Sequence, residues 1–305
     1  MKFAAALLIL VSAFGVAQVQ APAGPEALVA EAQELIRQNQ FERAERSLRQ
    51  LVAAKPDLAQ AQYLLGYVLF RRNQPVESLR TYTAAAALSR PTSDDFKIVG
   101  LDYVLLEDYQ DAARWLQKAV DEDPRNAEAA YHLGRACYTL NQFDRALAAF
   151  QQALRIDPRY GKAENNLGLT WAALNRQDLA EDAYRKAIQF DNETGARSEQ
   201  PYINLAGLLL DHNRAADALA LLDTAKQIQP RSEKIEELTG RGLLLENKLP
   251  EAEAAFRAAL ELQPSNGAFH YQLGRVLKRE GKNQEAEREF ERTRALLGTR
   301  SAPPG

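Results

Sequence analysis

Apolar residues along this chain return at the spacing of a helix, and they do so in paired stripes. Within Asn126 to Tyr160, Ala130, Leu133, Gly134 and Cys137 follow the i, i+3, i+4, i+7 pattern of one buried helical face. Asn141 and Gln142 interrupt it, and a second stripe runs through Phe143, Ala146, Phe150 and Ala153. Pro158 can neither donate a main-chain hydrogen bond nor continue a helix, so the second helix has ended by then. Helices of about a dozen residues are marginal alone in water. The segment therefore predicts a helical hairpin whose remaining apolar face needs a neighbour.

The neighbours recur at a fixed register. With Ala127 as position 1 of a 34-residue unit, position 8 reads Ala32, Gly66, Gly100, Gly134, Gly168, Ala206, Gly240 and Gly274. Position 20 reads Ala44, Ser78, Ala112, Ala146, Ala180, Ala218, Ala252 and Ala286, so both places where two helices must touch closely hold small residues. Position 24 is always large, from Leu48 through Phe150 to Phe290, and position 32 is proline at Pro56, Pro124, Pro158, Pro230 and Pro264. Amphipathic helices in general hold no such register. The pattern resembles the tetratricopeptide repeat, W-x2-L-G-x2-Y followed by A-x3-F and then P. The resemblance implies an all-α fold, a right-handed superhelical solenoid of antiparallel helix pairs.

Eight units follow, at 25–58, 59–92, 93–126, 127–160, 161–194, 199–232, 233–266 and 267–300. Gly195-Ala196-Arg197-Ser198 are additional to the register, and Asn192 stands where unit 5 should have its proline. Since stability in such arrays is roughly a sum of unit and nearest-neighbour terms, this junction is the expected weak point, with a hinge and proteolytic nicking near Arg197. The last helix carries Glu285, Glu287, Arg288, Glu289, Glu291, Arg292 and Arg294, the polar outer face expected of a terminal repeat.

Residues 1–17 read as a cleaved secretory signal. Lys2 supplies a positive end, Phe3 to Val11 an apolar stretch, and Gly15-Val16-Ala17 the small residues a signal peptidase needs. Residues 18–24 are a linker and 301–305 a disordered tail. The expected location is exported, periplasmic or secreted, with no membrane-spanning segment in the mature chain. A single cysteine, Cys137, allows no internal disulfide and falls in the core stripe, where it reads as a small buried hydrophobe. Over all 305 residues the net charge is −3, which argues against a nucleic-acid-binding surface over the whole molecule.

Catalytic chemistry finds no support. His132, His212 and His270 lie in different units, and there is no HExxH, no paired His/Cys spacing and no phosphate-binding loop. No cofactor and no metal are expected, and the acidic residues are explained as solvated helix faces. The chain reads as a non-enzyme.

The resemblance places the first helix of each unit on the concave side, with positions 2, 5, 6, 9, 12 and 13 lining a groove. In this sequence those positions form three zones. Tyr63, Tyr67, Ile98 and Leu101 make an apolar zone; Tyr131, His132, Arg135, Asn165, Asn166 and Asn204 an amide-rich one; Arg241, Arg275 and Arg279 a basic one. The carboxylate clamp of chaperone-adaptor members is not formed, because Leu101 follows Lys97 and Asn166 follows Lys162. Asn166 and Asn204 match, in part, the asparagine ladder of the O-linked N-acetylglucosamine transferase superhelix. The expected function is a protein-interaction scaffold that holds an extended peptide segment, apolar at one end and acidic at the other. Two alternatives stand beside it: a self-associating structural protein, and a regulatory subunit of an enzyme encoded elsewhere.

Overall fold

The structure, a computed structural model, describes residues 24–300. The signal-peptide reading, most of the linker and the tail lie outside the described residues. Those described form sixteen α-helices and no strand. In chain order they are α1 (Pro25–Arg37), α2 (Phe41–Ala54), α3 (Ala59–Arg71), α4 (Pro75–Ala86), α5 (Ser93–Leu105), α6 (Tyr109–Glu122), α7 (Ala127–Thr139) and α8 (Phe143–Ile156). There follow α9 (Gly161–Ala173), α10 (Gln177–Thr194), α11 (Gln200–Asp211), α12 (Ala215–Ile228), α13 (Glu233–Leu245), α14 (Leu249–Leu262), α15 (Gly267–Arg279) and α16 (Asn283–Arg300). Odd-numbered helices are the first of each pair. The chain divides into two compact units, residues 1–91 with α1–α4 and residues 92–305 with α5–α16.

The turn inside each pair repeats almost atom for atom. Position 15 is left-handed in all eight pairs: Asn39, Asn73, Glu107, Asn141, Asn175, Asn213 and Asn247 have φ between 56° and 60°, and Gly281 has φ 81°. Asparagine and glycine are the residues that enter this region most readily. The N–H one residue later then reaches back five residues to a carbonyl of the first helix. Gln142 to Cys137 is 2.9 Å, Arg176 to Trp171 2.8 Å and Lys282 to Leu277 2.9 Å. Those bonds close the open end of the first helix and turn the chain into the second.

Within a pair, the close approach is set by positions 8 and 24. A Cβ on Gly134 would lie 2.6 Å from the Phe150 ring, on Gly168 2.6 Å from Tyr184, and on Gly240 2.8 Å from Phe256. The aromatic ring occupies the volume that a side chain would need, so glycine is required there. Where position 8 is alanine, at Ala32 and Ala206, position 24 is the smaller Leu48 or Leu222. Position 20 is fully buried at Ala44, Ala112, Ala146, Ala180, Ala218 and Ala252.

In the unit 1–91, α1–α3 share a core through Leu35, Leu48, Leu65 and Leu69. In the unit 92–305 one core joins α6–α9 around Leu116, Leu133, Cys137 and Phe150, and another joins α10–α13 around Tyr184, Leu205, Leu222 and Leu238. A third surrounds Phe256, Leu273 and Leu277. Cys137 is fully buried, and burial pushes its thiol above the ordinary range. Trp171 is half-buried and packs against the first two of these cores. Trp115, also half-buried, stacks on Phe96 with ring centroids 5.8 Å apart.

After unit 5, α10 runs one turn longer, Gly195 ends it at φ 75°, and the core of α10–α13 crosses the junction. One expectation needs correction. Glu289 belongs to no outer face. It is buried, and its Oε2 meets His270 Nδ1 at 2.6 Å while His270 Nε2 meets the Pro264 carbonyl at 2.9 Å. An acidic side chain in a terminal helix is assigned to solvent by pattern alone; only the packing shows it turned inward onto a partner.

Candidate functional site

The candidate residues fall on odd-numbered helices, and the structure sorts them by what they already touch. In the unit 1–91, α3 carries Tyr63 and Tyr67, both half-buried. The Tyr63 hydroxyl donates to the Ser89 carbonyl at 2.8 Å, and the Tyr67 hydroxyl accepts from Arg71 Nη1 at 2.7 Å. Arg71 lies 4.4 Å from the Phe41 ring centroid, so this aromatic group is cross-linked by cation–π and hydroxyl contacts.

In the unit 92–305 the face begins on α5, where Ile98 is buried and Leu101 half-buried. On α7, Tyr131 is also buried, with Tyr160 and His132 each 5.0 Å from its ring centroid and Arg135 at 5.8 Å. Asn165 on α9 is buried as well, so Ile98, Tyr131 and Asn165 back the face instead of forming its exposed surface. Arg135 is exposed. His132 is half-buried, and burial, then the charge of Arg135, hold its imidazole down to about 4. It is neutral at pH 7, a donor at one ring nitrogen and an acceptor at the other. Lys97 beside it bridges Asp94 at 2.9 Å and Glu128 at 2.7 Å.

The asparagines make internal bonds first. Asn204 Nδ2 on α11 donates to Asn165 Oδ1 on α9 at 2.9 Å, and Asn166 Nδ2 donates to the Lys162 carbonyl at 2.8 Å. Each of Asn166 and Asn204 thus has one amide edge spent and held in place. The arginines are partnered too. Arg241 reaches Asp211 at 2.8 Å, Arg275 reaches Gln272 Oε1 at 3.0 Å, and Arg279 reaches Asn247 Oδ1 at 2.7 Å and the Leu244 carbonyl at 3.2 Å.

Part of this set converges. Between α9, α11 and α13 lies a cleft of about 380 Å³, with Asn204, Lys234, Asp211 and Arg241 around it and Leu169, Leu208 and Leu238 among its apolar lining. The size lies within the range of about 300–1,000 Å³ common to ligand clefts. Arg275 and Arg279 lie on α15, apart from that lining, and Tyr63 and Tyr67 belong to the other compact unit. A larger cavity, about 620 Å³, is lined by residues of α14, α15 and α16, including His270 and Glu289, and holds none of the candidate residues.

Two residues of the face were missed by reading the zones alone. Gly207 lines the cleft at position 9, where the other units have Gln33, Tyr67, Leu101, Arg135, Leu169, Arg241 and Arg275; a lone glycine in that column was the available signal. Tyr271 is 48% exposed and lies with Arg275 at 6.0 Å, the same i, i+4 pairing as Tyr131 with Arg135. Among the described residues, no group of three or more His, Cys, Asp or Glu could hold a metal ion. Nor is any helix there long and apolar enough to cross a membrane.

Helix pairs with this register and this turn define a helical repeat protein. The tetratricopeptide repeat profile matches residues 29–93, 100–160, 138–194 and 239–298, more than half of the chain, and the chain belongs to that family. No curated protein sequence is significantly similar to it. Among solved structures, a tetratricopeptide repeat protein from Parabacteroides merdae is 18% identical with TM-score 0.61, covering 83% of this chain and 98% of its own. PilW, a type IV pilus biogenesis factor, is 21% identical with TM-score 0.62, covering 68% and 94%. YrrB, described as having an unusual peptide-binding site, is 21% identical with TM-score 0.51, covering 60% and 93%. At these identities the likeness is one of fold.

Proposed function

We propose that this protein is a non-enzymatic interaction scaffold that holds an extended segment of a partner protein against its odd-numbered helices. The observation that carries the reading is the cleft between α9, α11 and α13, which the anchored amide of Asn204 lines together with Leu169, Leu208 and Leu238. A fixed amide edge pairs with a peptide group whatever the partner's sequence. The peptide-binding site of YrrB and the role of PilW as a pilus biogenesis factor are consistent with it. The basic zone contributes less than its composition suggests, because an acidic ligand end must displace Asp211 from Arg241 and Asn247 from Arg279. The scaffold acts in the cell envelope or secreted space, after removal of residues 1–17; N-terminal sequencing of exported protein beginning at Gln18 tests that part.

The binding test starts from a partner recovered with the mature protein and identified by mass spectrometry. Calorimetry then compares wild type with the double variant Asn166→Ala, Asn204→Ala. Two bonds of roughly 0.5–1.5 kcal/mol each predict about 5- to 150-fold weaker binding if the losses add. Thermal unfolding of the variant controls for the Asn165 bond that is lost at the same time. Unchanged affinity would end the proposal, and light scattering that shows only a dimer of this chain would favour self-association.

A further inference from the structure

Glycine is the poorest helix former after proline, so a glycine inside a helix calls for a reason. Six of the position-8 glycines have one: at Gly66, Gly100, Gly134, Gly168, Gly240 and Gly274 a Cβ would collide with the position-24 side chain at 2.6–2.8 Å. Gly242 has one as well, with Leu219 at 3.0 Å. Gly195 and Gly281 end helices or turns at positive φ. Gly207 has none of these. It lies inside α11, its φ is not positive, and a Cβ there would meet nothing within 4 Å. Gly267, where a Cβ would sit at an ordinary 3.7 Å from Leu296, stands at the first position of α15; among residues whose surroundings are described, Gly207 is the glycine in a helix interior that packing does not explain.

What Gly207 does provide is access. It lies one turn after Asn204 and four residues before Asp211, and all three line the same cleft. Without a side chain at 207, a second main chain can approach the helix backbone closely. Asn204 is held by its bond to Asn165 and keeps one amide edge, whose Oδ1 accepts from a peptide N–H. Leu169, Leu208 and Leu238 are apolar parts of the lining, and Gln177 of α10 also lines it, its Oε1 buried without a hydrogen-bond partner. The charges at the mouth cancel in pairs, Lys234 with Glu237 at 2.7 Å and Arg241 with Asp211 at 2.8 Å, so the cleft offers an acidic side chain no unmatched partner.

We infer that the Gly207 notch is a specificity pocket: the partner's extended main chain crosses α11 at Gly207, its N–H bonds Asn204, and one uncharged aliphatic or aromatic side chain enters the cleft. This rests on the scaffold reading above and names the chemistry at one point of it. An acidic side chain at that point of the partner is rejected, because the rim cations are already matched and the polar group left unpaired in the lining, Gln177 Oε1, is an acceptor.

The test uses the full mature chain, ¹⁵N-labelled, titrated with acetyl-Gly-Gly-Leu-Gly-Gly-amide and with the same peptide carrying Phe, Asp or Gly at its centre. The Leu and Phe peptides are expected to shift the Gly207 amide and the Asn204 side-chain signals, and to bind about 10-fold more tightly than the Asp and Gly peptides. Gly207→Ala is expected to raise Tm by about 2–4 °C, since alanine is the better helix former, and to abolish the difference between the Leu and Gly peptides. A stabilised variant that binds worse cannot be explained by lost folding. Equal binding of the Asp peptide, or a Gly207→Ala variant that binds the Leu peptide as wild type does, overturns the inference. Shifts confined to His132 and Asn166 would overturn the notch and leave the scaffold reading standing; no shift anywhere would remove both.

Discussion

At the scale of single residues, the left-handed turn position is the most economical place to change this protein. Six of its eight occupants are asparagine and one is glycine, but Glu107 sits at φ 60° and is exposed. A longer side chain in that region is strained by roughly 1 kcal/mol. Glu107→Asn is expected to stabilise the fold by about 0.5–1 kcal/mol, seen as a higher urea midpoint at unchanged slope. A lower midpoint would show that Glu107 holds something besides the turn. His132 gives a prediction of the opposite kind. Its ordinary value is near 6.5, and burial, then Arg135, lower it to about 4 in the folded chain, so between those values the unfolded chain binds more protons. The stability linked to His132 is therefore complete above pH 6.5 and lost as pH falls toward 4, up to about 3 kcal/mol below that. His132→Gln should flatten this part of the urea-midpoint profile between pH 7 and 4; parallel profiles for the two proteins would refute the assignment.

At the scale of the helix pair, positions 8 and 24 behave as one unit. Aromatic rings at Tyr82, Phe150, Tyr184, Phe256 and Phe290 each face a glycine, while Ala32 and Ala206 are paired with leucine. Gly134→Ala puts a methyl group 2.6 Å from the Phe150 ring, an overpacking that costs about 1–3 kcal/mol. In that background Phe150→Leu should cost much less than in wild type, because it relieves the collision while opening a cavity. A coupling of at least about 0.5 kcal/mol in the double-mutant cycle is expected, and simple additivity would contradict it. This coupling was open to inspection along the chain, since both columns can be read off the repeat. The pairing itself was not, because nothing in a sequence says which ring lies over which backbone.

At the scale of the whole molecule, the extra residues after unit 5 separate two properties that a sequence reading joins. Arg197 is exposed and outside any helix, so trypsin should cut there early. The core around Tyr184, Tyr202 and Leu205 spans the cut, so the two pieces should stay together on gel filtration. Separation of the fragments without denaturant would bear out the weak-junction expectation. A loop is cheap to lengthen, and what decides the strength of a junction is the apolar surface that closes over it.

The repeat, the order of its helices and the need for small residues at positions 8 and 20 were settled by the sequence alone. They follow from local rules, a helical period and close contact between neighbours in the chain, that leave their mark residue by residue. The Asn126 to Tyr160 segment contains nearly all of that information. The state of the candidate face was decided only by tertiary structure. Ile98, Tyr131 and Asn165 occupy groove positions yet are buried, Arg241 and Arg279 are basic yet matched, and Glu289 is charged yet inside. Each of these depends on a partner 30 or more residues away or on the next helix, as with Asn204 on Asn165 and Arg241 on Asp211. A side chain's availability is the remainder after its neighbours have been served, and that remainder exists only in three dimensions.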